Sequence, residues 1–275
     1  MKKIVSFLVL ISTVLILAAC GSNATDSENK IKIGATAGPY SDQLKEGIVP
    51  ILEEKGYNVE IVEFNDYVQP NNALNERSID ANLYQNRNYL LNFNEEQGMD
   101  LVPAFAVPTA PIAFYSEKHD SLDDIENGMT ITLPNDPVNL ARSLHMLEGY
   151  GWITVDKSVD PITASERDIQ ENKYDLKVKP IEPAQTPRSL SDTDFAFVNG
   201  NYALASGLKL EEAVDVEKTS EDFLIYLTVK KEDENSAFLK DLEAAYKSQE
   251  FLEYTNENSK GYVKPPYQVE LEEGK

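Results

Sequence analysis

The chain carries 47 acidic against 25 basic side chains in 275 residues, a formal net charge of −22. That balance excludes the basic patches on which nucleic-acid binding rests, and it repels anionic lipid headgroups. The one cysteine excludes a disulfide framework, and 41% hydrophobic residues exclude a disordered chain, so stability must come from packed cores.

Met1-Lys2-Lys3 is basic, and Ile4 to Ala19 is apolar apart from Ser6, Ser12 and Thr13. At about 16 residues this run falls short of the roughly 20 that span a bilayer as a helix, and small residues follow it, so 1–19 reads as a signal peptide. Leu17-Ala18-Ala19-Cys20 then resembles the bacterial lipobox. In that chemistry the Cys20 thiol is acylated and becomes the new amino terminus, which leaves no free thiolate nucleophile. Acyl chains such as palmitate, worth about 0.8 kcal/mol per buried CH₂, would hold the domain to the outer face of a cell membrane. Gly21 to Lys30 is small and polar, and residues 20–30 read as a lipidated cysteine with a flexible tether.

Folding is expected from Ile31. Lys30 to Gly34 alternates like a strand, Thr36 to Tyr40 is a turn, Asp42 to Lys55 has helical spacing, and Asn58 to Phe64 is a strand again. Asn71 to Arg77 reads as a short helix, Ile79 to Tyr84 as a strand, and Gln85 to Gln97 as a helix stopped by Gly98. Leu101 to Tyr115 is apolar but broken by Pro103, Pro108 and Pro111, which fits a strand pair crossing between two lobes. Ser121 and Asp124 form a capping pattern, Met129 to Leu133 a strand, and Val138 to Gly149 a helix. Ser165 to Glu171 reads as a second capped helix, Leu176 to Ile181 and Phe195 to Val198 as strands, and Asn201 to Ser206 as a helix. Phe223 to Val229 is a strand and the expected return crossing, and one or two helices fill Ser236 to Glu253.

Strands alternating with helices predict an α/β protein with parallel sheets covered on both faces. Two crossover segments divide it into a first lobe over 31–110, a second over 111–224, and a return to the first over 225–275. A ligand would sit in the cleft between them, at the carboxyl ends of the strands.

An enzyme would need a catalytic constellation, and none is legible. His119 and His145 are far apart in sequence and read as structural, and no P-loop, dinucleotide, Gly-x-Ser-x-Gly or His-Glu-x-x-His motif occurs. No cofactor or metal is expected. The informative residues are polar groups at strand-to-helix junctions, although any one such cluster reads equally well as a turn with good caps.

Five segments occur in order: Asn65-Asp66-Tyr67-Val68-Gln69-Pro70-Asn71, Asp80-Ala81-Asn82-Leu83-Tyr84-Gln85, Pro134 to Leu144, Pro187-Arg188-Ser189-Leu190, and Asn199-Gly200-Asn201-Tyr202-Ala203. Together they resemble the methionine-binding lipoproteins of ABC importers over nearly the whole chain after the signal peptide. The resemblance implies a periplasmic-binding-protein-like fold, a methionine-like ligand and an ABC permease as partner. It implies that Arg142 clamps the ligand's carboxylate, that Asn139 and Asn199 fix its polar end, and that Tyr67, Tyr84 and Tyr89 form an aromatic wall. The family usually carries a histidine where this chain has Asn86, which opens the site to a more polar ligand or a short methionine-containing peptide. An extracytoplasmic enzyme and a surface interaction protein such as an adhesin are the competing classes.

Overall fold

The computed structural model describes residues 29–274, so the signal peptide and Cys20 lie outside the described residues. The first lobe opens with strand β1 (Lys30–Thr36), helix α1 (39–54), β2 (Asn58–Phe64), α2 (Gln69–Asn75), β3 (Ala81–Asn86), α3 (Arg87–Gln97) and β4 (Leu101–Val107). The second contains β5 (Ala113–Tyr115), β6 (Thr130–Pro134), α4 (Pro137–Gly149), β7 (Ile153–Val155), β8 (Ile169–Asn172), β9 (Lys177–Ile181), β10 (Phe195–Val198), α5 (Gly200–Ala205) and β11 (Asp215–Val216). The chain then returns through β12 (Ile225–Lys230) to α6 (Ala237–Tyr246), α7 (Gln249–Asn258) and α8 (Pro266–Glu272).

Each lobe is built on a five-stranded sheet, ordered β2-β1-β3-β12-β4 in the first and β11-β5-β10-β6-β9 in the second. These sheets are mixed, which corrects the expectation of parallel ones. β12 runs antiparallel to β3 and β4, and β5 antiparallel to β10. The reason is chain continuity. Both strands enter their sheet from the cleft, where the parallel strands end, and must run away from it.

Among the other departures from expectation, two have a local cause. Ser165 caps only one 3-10 turn, Glu166–Asp168, after which β8 pairs antiparallel with β7. Helix α1 contains a π segment, Gln43–Ile48, directly before Pro50. Proline offers no N–H and crowds the carbonyl four residues back, and the wider π turn accommodates both effects.

Apolar cores fill each lobe separately. In the first, Ile33, Leu83, Phe105 and Leu227 of the sheet meet Leu44 and Leu52 of α1 and Leu242, Tyr246 and Phe251 of the terminal helices. In the second, Phe114, Ile131, Phe195 and Phe197 pack with Leu140 and Leu144 of α4 and with Trp152. A further cluster of Tyr67, Tyr84, Tyr89 and Phe93 reaches across to Val138 and Tyr202 of the other lobe. The two crossovers run side by side: Ile225 N–H donates to Thr109 Oγ1 at 2.8 Å and Glu217 N–H to the Ile112 carbonyl at 3.1 Å.

Candidate functional site

The strand ends and helix starts that face the cleft enclose one cavity, and Tyr67, Tyr84, Asn86, Tyr89, Asn139, Arg142 and Asn199 all line it. Space among its side chains totals about 360 Å³, yet only about 20 Å³ admits the centre of a water molecule. Part of the larger space is open to solvent, so the enclosed room is small. That enclosed room holds no more than a water or two.

The first lobe contributes shape. The Tyr84 and Tyr89 hydroxyls both donate to the Tyr67 carbonyl, at 2.7 and 3.0 Å, and Tyr67 donates across the cleft to Asn201 Oδ1 at 2.6 Å. Burial holds all three phenols well above their ordinary pKa, so they stay neutral donors. Asn86 is the N-cap of α3: its Oδ1 accepts from Tyr89 N–H at 2.8 Å. The amide oxygen is thus committed to the helix, and only Nδ2 is left to meet a ligand.

The second lobe contributes polarity. Pro134 ends β6, Asp136 caps α4, and the first turns of that helix carry Asn139 and Arg142 into the cavity. Asn139 Nδ2 donates to both Asp136 oxygens, at 3.0 and 3.1 Å, which fixes the amide's orientation and leaves its buried Oδ1 without a hydrogen-bond donor. Asn199 Oδ1 is likewise buried and unpartnered. Such acceptors are costly to bury unless something donates to them. Burial, partly offset by the bonds from Asn139, raises the Asp136 carboxyl from 3.8 to about 6.

Gly200 is required where α5 meets the outgoing crossover. A Cβ there would lie 2.5 Å from the Pro111 carbonyl oxygen and 2.6 Å from the Ala110 carbonyl carbon. The adjoining Asn201 and Tyr202 hold the lobes together, Asn201 Nδ2 donating to Thr36 Oγ1 at 3.3 Å and Tyr202 stacking on Tyr67 at 5.0 Å.

Sequence reasoning missed several participants. Glu217 forms a bidentate ion pair with Arg142, its Oε1 accepting from Nε at 2.6 Å and its Oε2 from Nη2. Phe223 covers the guanidinium at 4.6 Å, and Tyr40, Ile112 and Ile225 complete the apolar lining. These positions come from the crossovers and the β1 turn, and no local pattern marks them. Neither histidine lines the cavity: His119 stacks on Phe195 and His145 bonds the Pro161 carbonyl. Among the described residues, no group of three or more His, Cys, Asp or Glu is placed to hold a metal ion, and no helix is long and apolar enough to cross a membrane.

Two sheet-based lobes around a small polar and aromatic cavity define a two-lobed solute-binding fold. The NlpA lipoprotein family model matches residues 31–267, and the chain belongs to that family. The D-methionine-binding lipoprotein MetQ of Salmonella typhi is 37% identical over 246 residues, 88% of this chain and 90% of that protein. The methionine-binding lipoprotein MetQ of Bacillus subtilis is 34% identical over 272 residues, covering 96% and 99%. A solved nutrient-binding protein of Burkholderia cenocepacia bound to methionine superposes with a TM-score of 0.81 at 36% identity, covering 85% of this chain and 99% of that one.

Proposed function

We propose that this protein is the substrate-binding lipoprotein of an ABC importer, which closes around methionine or a close relative and delivers it to a membrane permease. The observation that carries the reading is the juxtaposition, in one enclosed cavity, of a buried guanidinium with two buried amide oxygens that lack donors. A free amino acid supplies the complement. Its carboxylate would take the Nη1 edge of Arg142, and its ammonium would donate to Asn139 Oδ1 and Asn199 Oδ1. A thioether would lie against Tyr67, Tyr84 and Tyr89, a contact worth about 0.3–1.5 kcal/mol per ring.

The relatives are named as binding proteins, which supports transport rather than catalysis. We assign 31–110 and 225–275 to one lobe and 111–224 to the other, with ligand contacts on both so that binding favours closure. A lipid on Cys20 would hold the receptor on the extracytoplasmic face and raise its effective concentration near the permease. Titration calorimetry on protein unfolded and refolded to strip carried-over ligand tests the proposal. Methionine should bind, and failure of every amino acid and short peptide tested would refute it.

A further inference from the structure

Glu217 stands on the return crossover, behind the cavity wall rather than in it. Its carboxylate accepts Nε and Nη2 of Arg142 and a third bond from Thr219 Oγ1 at 2.8 Å. The paired side chains are 4% and 12% exposed, so solvent screens the contact weakly. Among the described residues Arg142 is also the only cation lining the cavity, and Asp136 adds a second carboxylate beside Asn139.

We infer that Glu217 is a positioning residue that sets which ligand charge the cleft selects. By taking the Nε–Nη2 side of the guanidinium it aims the remaining edge at the ligand, and it neutralises that cation. A zwitterion then enters without adding net charge. An anion that lacks an ammonium adds negative charge beside Glu217 and Asp136 and leaves the Asn139 and Asn199 oxygens without donors. The site therefore discriminates against amino-acid analogues that have lost the amine more strongly than against those that have lost the carboxylate. This inference rests on the reading that Arg142 receives the ligand's carboxylate.

Calorimetry with three probes tests it: methionine, its desamino acid methylthiobutanoate, and its decarboxylated amine methylthiopropylamine. Both analogues are smaller than methionine, so steric exclusion is not at issue. The wild type should bind the amine ahead of the acid. Glu217→Gln removes one negative charge next to the site and should shift the amine-to-acid affinity ratio by about tenfold or more toward the acid, while Glu217→Asp should return it toward the wild-type value. A purely structural role would weaken all three probes alike, and that result would overturn the inference. If Arg142→Ala leaves methionine binding intact, the underlying reading fails; if it abolishes binding while Glu217→Gln leaves the ratio unmoved, only the present inference fails. Should Glu217→Gln not fold, the wild-type order decides, and an acid analogue bound ahead of the amine overturns the inference.

Discussion

On the first lobe's side of the cleft most polar groups are already spent, and only Asn86 Nδ2 is left over. Tyr84 and Tyr89 share the Tyr67 carbonyl, Asn86 caps a helix, and Gln85, itself in the wall, is locked to Asn71 and Asn82. On the second lobe's side they are held in reserve: Asn139 and Asn199 keep unpartnered oxygens, and Arg142 keeps the edge that Glu217 does not occupy. A wall whose polar groups satisfy one another presents a fixed apolar shape. A wall with unspent acceptors and donors presents a demand that a complementary ligand meets. In the proposed reading, recognition of the side chain and of the charged end would be divided between the lobes and joined by closure.

Substitutions on the polar side should be the most damaging. Arg142→Ala should lower methionine affinity by more than about a hundredfold, and it should lower the melting temperature because Glu217 is left buried and unpaired. An unchanged Kd by calorimetry would show that the division between the walls is wrong. Gly200→Ala comes next, since its Cβ would strike backbone of the outgoing crossover; a destabilisation of about 1–3 kcal/mol should appear in urea unfolding. Asn199→Ala deletes one reserved acceptor and should cost roughly tenfold in affinity with little change in stability.

The aromatic side should respond more mildly. Tyr89→Phe removes a donor to a carbonyl that Tyr84 still serves, so affinity should change by less than about threefold. Tyr67→Phe differs because it breaks the bond to Asn201 across the cleft; stopped-flow binding should show faster ligand release.

The smallest effect concerns pH. The Asp136 carboxyl is raised to about 6, so its protonated form favours the folded state. That contribution is fully present below the unfolded value near 4 and is lost as pH rises through 6. Asp136→Asn should therefore flatten the fall in stability between those limits, measured by thermal melts across the range. Below pH 6 the carboxylate that orients Asn139 is also lost, and methionine affinity should drop a few-fold in the wild type but not in the variant.

Much of the architecture was legible because its causes are local. Asn58 to Phe64 is a strand with the bounds the alternation predicts, Gly98 ends α3 in a left-handed conformation, and the run from Leu101 to Tyr115 divides between two sheets. Signals of one turn's length misled where the next residues had another partner. Ser165 and Asp168 do form a capping box, but Ile169 onward pairs with β7 instead of extending a helix. The motif residues at strand ends could be placed at the cleft because α/β topology sends every such end to the same edge.

By itself the sequence determined two lobes and two crossings, which follow from spacing within a few turns of chain, while the cavity residues were named through the resemblance that its motifs carry. Tertiary structure alone decided that the sheets are mixed, that Asn86 is a cap, and that Arg142 meets Glu217 from 75 residues away. An ion pair between a helix and a crossover depends on where the chain re-enters the first lobe. No local pattern encodes that position, and there Arg142 meets its carboxylate.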